Sequence, residues 1–301
     1  MEHSAPLTPE LSPPSFDVRQ LVRDFYDLSK PGIGFYSLLT TATSFWLASS
    51  VFNTTLFLHT MAATALITCG GGALNQVIEI EADSQMHRTE RRPLPSGRVS
   101  PLMGLLFGVL ASLGGTVYML FFVNGLASLL AILTLGGYLF VYTPLKKKTH
   151  LATLIGAFPG AVPILIGWAA VRGSLDLSAW SLFAILFIWQ IPHFLAIAWM
   201  YRKDYARAGF PLLSVIDPEG NKSAINILNY TLALIPLSLL PSLLRLTGVV
   251  YFVGALLLGI GFGAAAIRAA SQRTNRSAKQ LLLASIIYLP VILALLAFDK
   301  I

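Results

Sequence analysis

Charged side chains are scarce in this chain. Of its 301 residues, 12% are Asp, Glu, Lys or Arg, and 55% are hydrophobic. Because a soluble globular domain carries about 25% charged residues, the composition excludes an ordinary soluble protein and predicts an integral membrane protein. The chain also has only one cysteine, Cys69, which excludes an internal disulfide. No Ser-His-Asp or Cys-His set for nucleophilic catalysis is evident in the sequence.

Apolar segments of about 20 residues, the length that crosses a bilayer, occur nine times. Their approximate bounds are 32–52, 55–78, 101–123, 125–143, 152–171, 178–200, 223–244, 248–269 and 279–298. We therefore predict an all-α membrane protein in which residues 31–301 form a single domain of nine transmembrane helices. Residues 1–30 are polar and rich in proline, and we expect them to form a separate N-terminal segment.

Positive charge is distributed unequally between the two ends of these spans. Of the 21 lysines and arginines, only Arg172, Arg245 and Lys300 fall on one side. The positive-inside rule then predicts a cytoplasmic N-terminus and a C-terminus outside, which requires an odd number of spans. Because topology accounts for the net charge of +7, a basic surface for nucleic acid is excluded.

The segment that follows the second span is the most informative polar stretch. Asn75, Glu79 and Asp83 are four residues apart, so on a helix they lie on roughly one face. The cations that follow at once are Arg88, Arg91, Arg92 and Arg98. Carboxylates hold hard cations, and arginines hold phosphate oxygens. The segment therefore predicts a magnesium–diphosphate site at the membrane surface.

A second long polar loop, at about residues 201–222, has a similar arrangement. Asp204 is flanked by Arg202, Lys203 and Arg207. The two loops suggest a weak internal repeat whose equivalent helices bring both loops together over a central cavity.

The first of these motifs resembles the membrane-embedded prenyltransferases typified by 4-hydroxybenzoate polyprenyltransferase. The match consists of Asn75, Glu79 and Asp83 at their spacing of four, the run R-P-L-P-S-G at 92–97, and the pair Lys30-Pro31 at the start of the first span. The resemblance implies nine helices around a central cavity. It also implies two acidic motifs on cytoplasmic loops, which bind magnesium and a prenyl diphosphate.

Further runs are similar to one branch of that family, the heme O synthases or protoheme IX farnesyltransferases. These runs are W-Q-I-P-H-F-L-A-I-A at 189–198, D-Y-A-R-A-G-F-P-L-L at 204–213 and Y-T-P-L-K-K-K-T at 142–149. The resemblance implies that farnesyl diphosphate and heme B are the substrates, that Mg2+ is the cofactor, and that heme O and diphosphate are the products. It further implies the bacterial inner membrane, an active site facing the cytoplasm, and heme A synthase as a candidate partner.

The resemblance also assigns roles to individual residues. The expected catalytic and magnesium-binding residues are Asn75, Glu79, Asp83 and Asp204. The expected diphosphate-binding residues are Lys30, Arg88, Arg92, Lys146, Lys147 and Lys203. The expected heme-binding residues are His193 and Trp189. His193 follows Pro192, which should kink or open its helix, so the histidine either serves the heme pocket or bonds a backbone carbonyl freed there.

Two other functions are consistent with parts of the sequence. A prenyltransferase for an aromatic acid or quinone precursor would share the site, but it would want a second acid near position 200, where this chain has Met200. A secondary transporter would predict charges deep inside the spans, whereas the charges here lie at the ends of the spans.

Overall fold

The computed structural model describes residues 17–301, which are almost entirely helical; residues 1–16 of the predicted N-terminal segment lie outside the described part. The helices are α1 (Val18–Leu28), α2 (Pro31–Ala48), α3 (Thr54–Ile78), α4 (Ile80–Ser84), α5 (Pro101–Phe122), α6 (Gly125–Gly136), a π-helix (Gly137–Tyr142), α7 (Thr143–Leu145), α8 (Ala152–Arg172), α9 (Leu177–Met200), α10 (Arg202–Arg207), α11 (Leu213–Ile216), α12 (Asn221–Leu243), α13 (Val249–Gln272) and α14 (Asn275–Phe298).

Eight helical segments within residues 17–301 are long and apolar enough to cross a membrane, with α6, the π-helix and α7 acting as one segment. The remaining predicted span corresponds to α2, which is 18 residues long. Its hydroxyl-bearing side chains lower its hydropathy, but they bond inside the protein: Thr41 Oγ1 donates to the carbonyl oxygen of Pro163 in α8 at 2.9 Å. The ninth crossing and the orientation of the termini stay predictions.

Close packing of α3 on α5 depends on glycine. A Cβ atom added at Gly70 would lie 2.6 Å from the carbonyl oxygen of Gly108, and one added at Gly108 would lie 2.7 Å from Cγ of Leu74. Small residues at such a crossing let two helix backbones approach closely. The crossing holds the C-terminal half of α3, where the predicted acidic motif begins.

Helix α1 is an element that the polar composition of residues 1–30 did not indicate. Asp17 caps it by accepting a hydrogen bond from the backbone N–H of Arg19 at 2.9 Å. Its inner face joins the rest of the molecule through an ion pair of 2.9 Å between Asp24 and Arg98. The ring of Phe25 also meets that of Phe107 edge-on, with centroids 5.0 Å apart. The N-terminal segment is therefore docked, at least from residue 17, on the end of the bundle that carries the polar loops.

Candidate active site

The acidic arm of the site lies where α3 ends. The helix runs to Ile78, the backbone leaves helical geometry at Glu79 (φ −99°, ψ 11°), and the short α4 carries Asp83. Despite this break, Asn75, Glu79 and Asp83 are all nearly inaccessible, with exposures of 2%, 4% and 1%. Three adjoining polar side chains so deeply buried need partners, because an unpaired buried charge costs several kcal/mol.

Each member of the acidic arm has a cationic partner. Lys146 Nζ lies 3.0 Å from Oε1 of Glu79, and Nη1 of Arg92 lies 2.7 Å from Oδ2 of Asp83. Lys30 donates a short hydrogen bond to Oδ1 of Asn75. Side chains from four separate parts of the chain thus form one buried cluster of alternating charge.

Lys30 occupies a strained and half-buried position in this cluster. It caps α2 with a left-handed backbone, φ 49°, a region that residues other than glycine adopt rarely. Burial, followed by repulsion from Arg92, lowers the pKa of Lys30 to about 7, although Glu79 opposes the shift. An anion bound beside Lys30 would favour its protonated form.

The π-helix and the first residue of α7 contribute Tyr138 and Thr143, which the sequence reasoning missed. Nδ2 of Asn75 donates to Oγ1 of Thr143 at 2.9 Å, and the Tyr138 hydroxyl lies 3.5 Å from Nζ of Lys30. Thr143 Oγ1 in turn donates to the carbonyl oxygen of Tyr138 at 2.8 Å. The available sequence signal was Pro144, which has no N–H to continue a regular helix, and π-helical turns are frequent at functional sites.

The second polar loop lies over the first. Arg88 of the first loop stacks above the ring of Tyr201 at 5.1 Å and approaches the hydroxyl of Tyr205 at 3.4 Å. Lys146 lies 4.5 Å from the centre of the Phe210 ring. Aromatic residues of the second loop therefore cover the cationic side of the cluster, a role that the charge pattern did not reveal.

Asp204 is buried in this covering layer, but its carboxylate is engaged elsewhere. It forms a close ion pair with Arg207, and Nη1 of Arg207 reaches Nε2 of His87 in the first loop at 2.7 Å. The structure therefore places Asp204 at the junction of the two loops, whereas Glu79 and Asp83 face Lys146 and Arg92.

Two predicted diphosphate ligands lie away from the cluster. Lys147 pairs with Glu81 at 3.7 Å, and both side chains are largely exposed. Lys203 is exposed and has no hydrogen bond or ion pair within residues 17–301. Neighbouring residues on a helical turn point about 100° apart, which explains why Lys146 enters the cluster and Lys147 does not. Their role as ligands stays a prediction without geometric support.

The donor set of the cluster suits a hard divalent cation. Within residues 17–301, no group of three or more His, Cys, Asp or Glu side chains is arranged to hold a metal ion. The carboxylates of Glu79 and Asp83 are paired with cations instead. The types of donor nevertheless fit, since two carboxylates and an amide oxygen are ligands that Mg2+ accepts, and a bound metal would leave Lys146 and Arg92 available to phosphate oxygens.

The predicted heme ligands form a separate group inside α9. Nδ1 of His193 lies 2.8 Å from Oγ of Ser285 in α14, and Nε1 of Trp189 donates to the Ser285 carbonyl at 3.1 Å. The two rings stack, with centroids 5.1 Å apart. His193 stands seven residues before the end of α9, which is about 10 Å along the helix axis. The partner of the histidine is a hydroxyl, and not the freed carbonyl that Pro192 suggested.

An apolar cleft of about 550 Å³ lies between the π-helix and α8. Its lining residues are Leu133, Gly137, Val141, Ile155, Phe158 and Pro159. Next to it, the Tyr142 ring packs directly on Gly156, which has no side chain to block it. The central cavity that the sequence predicted stays a prediction.

Comparison with known proteins identifies the family. Residues 37–289 match the model of the UbiA prenyltransferase family. The chain belongs to the UbiA prenyltransferase family. This UbiA member is 45% identical over 289 residues to a protoheme IX farnesyltransferase of Solibacter usitatus, covering 93% of this chain and 99% of that protein. It is 40% identical to a protoheme IX farnesyltransferase of Koribacter versatilis, covering 98% of both chains.

Solved structures of other proteins share the fold. A structure described as that of digeranylgeranylglyceryl phosphate synthase superposes with a TM-score of 0.77 at 17% identity, covering 93% of this chain and 98% of that one. A UbiA homologue from Archaeoglobus fulgidus bound to GPP and Mg2+ gives a TM-score of 0.64 at 13% identity, covering 91% and 99%. These likenesses establish the helical architecture.

Proposed function

We propose that this UbiA member transfers the farnesyl group of farnesyl diphosphate to a vinyl carbon of heme B. Addition of water completes the reaction, whose products are heme O and diphosphate. The observation that carries the proposal is the buried cluster at the end of α3, where Glu79 and Asp83 alternate with Lys30, Arg92 and Lys146. The acceptor is inferred from relatives 36–45% identical over more than nine-tenths of the chain, all named protoheme IX farnesyltransferase.

The cluster is suited to a ligand that carries both positive and negative charge, such as a metal diphosphate. Glu79, Asp83 and the amide oxygen of Asn75 would hold Mg2+, which, when bound, neutralises part of the diphosphate charge. Support for this cofactor includes the Archaeoglobus fulgidus relative described with GPP and Mg2+. Asp204 lies farther out, and we assign it to the same metal through water or after a change of partner.

The cations of the cluster would hold the diphosphate oxygens. Lys30, Arg92 and Lys146 already lie half-buried against the acidic arm, and Arg88 lies over the ring of Tyr201. Positive groups that are fixed in place before the reaction stabilise the charge that develops on the leaving diphosphate. This favours cleavage of the allylic C–O bond, with both bonding electrons leaving on oxygen.

The apolar interior would then direct the fate of the farnesyl cation. The π electrons of a heme vinyl group form the new C–C bond, and the resulting cation is delocalised into the porphyrin. Water adds to it and loses a proton, which leaves a hydroxyl group. The reaction needs no strong protein base, and the apolar interior would keep water from the cation before the C–C bond has formed.

We assign the heme acceptor to the vicinity of His193 and Trp189. Ser285 Oγ donates to the Leu282 carbonyl at 2.6 Å, so the same hydroxyl accepts from the Nδ1–H of His193. Nε2 of His193 then carries no proton, and its lone pair is available to bind heme iron. Trp189 already donates its N–H to Ser285, so its contribution to heme binding would be its ring face.

We further propose the placement of the protein in its membrane. Residues 31–301 would form one domain of nine spans in a bacterial inner membrane, with the N-terminus and the active site in the cytoplasm and the C-terminus outside. The support is the position of Arg172, Arg245 and Lys300 at one end of the bundle. A reporter fused after Ile301 should be active only outside the cytoplasm. Heme A synthase, which would use the product, is the proposed partner, and co-purification would test it.

Turnover by the purified protein tests the reaction. The protein in detergent is supplied with heme B, farnesyl diphosphate and Mg2+, and the products are separated by chromatography and mass. We expect a heme enlarged by a farnesyl group and a hydroxyl group, with formation lost on adding EDTA. Prenylation of a phenolic acid without any heme product would retain the site and move the assignment to an aromatic acceptor.

A further inference from the structure

One face of α1 is apolar and exposed. The side chains of Val18, Val22 and Tyr26 are 60%, 65% and 61% exposed. They are four residues apart, so they form a single stripe along the helix. Lipid-facing exposure is ordinary for the long helices of this bundle, but α1 is an 11-residue helix in the N-terminal segment, too short to cross a bilayer.

The opposite arc of α1 is fixed to the protein at the end of the bundle that carries the candidate active site. Leu28 is fully buried, and Nε2 of Gln76 in α3 donates to the carbonyl oxygens of Leu28 at 2.9 Å and Asp27 at 3.3 Å. These bonds, together with the Asp24–Arg98 ion pair, set which side of the helix points away from the protein.

Charges flank the exposed stripe in a way that suits a membrane surface. Arg19 and Arg23 are exposed and lie immediately beside Val18 and Val22 around the helix axis. Asp27 follows next around the axis, so the order from the stripe outward is apolar, cationic and then acidic. An interfacial helix has this pattern, with an apolar face in the boundary between headgroups and acyl chains and basic side chains at the level of the phosphates.

The position of α1 along the chain continues the lipid-facing surface of the bundle. Helix α1 ends at Leu28 and the membrane helix α2 begins at Pro31, so only two residues separate the stripe from the transmembrane region. We propose that α1 is an interfacial helix, in which Val18, Val22 and Tyr26 insert into the membrane surface and Arg19 and Arg23 bind anionic lipid headgroups.

This placement also bears on the candidate site. One of the two connecting residues is Lys30, whose side chain reaches Asn75. A helix anchored both to the membrane surface and to Gln76 limits the movement of the chain that presents Lys30. The inference does not rest on the proposed reaction, since it concerns only where α1 lies.

Spin labels on the full chain, reconstituted into vesicles, test the placement. In a Cys69→Ala background, a nitroxide is attached at Val22→Cys or, as the matched control on the polar side, at Asp27→Cys. In vesicles containing phosphatidylglycerol, we expect the label at position 22 to be more accessible to oxygen than to a water-soluble nickel complex, and the label at position 27 to show the reverse. Equal access of the nickel complex to both positions would overturn the proposal. So would low access of both reagents to position 22, because that result would mean that protein covers the stripe.

Vesicles of different lipid composition test whether Arg19 and Arg23 contribute to membrane binding of α1. In the Arg19→Gln/Arg23→Gln variant labelled at position 22, the ratio of inserted to water-exposed helix should fall roughly fivefold per arginine removed in phosphatidylglycerol vesicles. In vesicles of phosphatidylcholine alone, the two proteins should behave alike. A variant unchanged in both lipids would refute the headgroup contact.

A second experiment uses the wild-type chain, so that no label disturbs α1. A phosphatidylglycerol with a photoreactive group near the start of its acyl chain is crosslinked to the wild-type protein, and the adducts are mapped by mass spectrometry. Adducts on the stripe at Val18, Val22 and Tyr26 support the proposal. Adducts confined to the long transmembrane helices contradict it.

Discussion

At the scale of single residues, the cluster at the end of α3 combines groups that are expensive to bury. Glu79 and Asp83 are inaccessible, yet each lies within 3.0 Å of one cation. Replacing such pairs by apolar residues is often neutral or stabilising, so buried ion pairs are weak evidence of a purely structural role. Their strained neighbour Lys30 and their position at the end of a membrane helix favour a function in binding charge.

Asp83 provides the sharpest test of the acidic arm. The Asp83→Asn variant keeps the shape of the side chain but removes its charge, so metal binding weakens and stabilisation of the leaving group is lost. We expect turnover to fall on the order of a hundredfold or more, while the protein still inserts into the membrane. Product formation with heme B and farnesyl diphosphate measures the effect.

The control for this variant is Glu81→Gln, two residues away. Its carboxylate is exposed and pairs at 3.7 Å with the exposed Lys147, and exposed ion pairs contribute little. Turnover near that of the wild type is expected. Full activity of Asp83→Asn would remove Asp83 from the proposed metal site.

Variants of Lys146 and of its near neighbour in sequence, Lys148, distinguish a lysine that binds diphosphate from one that only contributes to membrane topology. Lys146 pairs with buried Glu79, whereas Lys148 is exposed. For Lys146→Gln we expect kcat/KM for farnesyl diphosphate to fall about tenfold to a hundredfold, the loss of one charged hydrogen bond, mainly through a higher KM. Steady-state kinetics of Lys148→Gln, expected near wild type, complete the comparison. An equal loss in both variants would point to a general electrostatic effect.

At the scale of helices, the crossing of α3 and α5 determines where the acidic motif lies. The Gly70→Ala variant would place a methyl carbon 2.3 Å from Oγ and 2.5 Å from the backbone nitrogen of Ser112, so the helices must separate. Such overpacking costs roughly 1–3 kcal/mol. We expect a lower midpoint of thermal unfolding in detergent, together with weaker binding of diphosphate.

A matched glycine in α5 provides the control. A Cβ at Gly114 would meet no atom within 4 Å, and alanine is the better helix former by about 1 kcal/mol. Gly114→Ala should therefore unfold at the same temperature as the wild type or higher. If both variants lost stability alike, close contact with α5 would not explain the need for glycine at position 70.

At the scale of the whole molecule, ligand binding should couple parts of the chain that are distant in sequence. The cluster joins Lys30 before α2, the end of α3, the first polar loop and the residues after the π-helix. A ligand that binds only the folded state raises stability by about 2.7 kcal/mol at a hundred times its dissociation constant. Farnesyl diphosphate with Mg2+ should therefore raise the unfolding temperature, and EDTA should reverse the increase.

The same measurement of the unfolding temperature distinguishes binding at the charged cluster from non-specific binding of an apolar chain. Farnesol, which has the chain but lacks the diphosphate, should produce little of this stabilisation. The Asp83→Asn protein should lose the response to Mg2+. Stabilisation by farnesol as large as that by farnesyl diphosphate would show that the apolar tail alone accounts for binding.

The sequence by itself determined the class of protein, the approximate bounds of the long helices and the acidic motif at the end of α3, because hydropathy and residue spacing are local properties of the chain. The single helix expected to carry Asn75, Glu79 and Asp83 on roughly one face is interrupted at Glu79, although all three side chains are buried. Only the tertiary structure decided which cation meets which acid. It selected Lys146 over Lys147, brought Lys30 and Thr143 to Asn75, joined Arg207 to His87, and docked α1. These contacts join segments far apart in the chain and depend on how the helices cross.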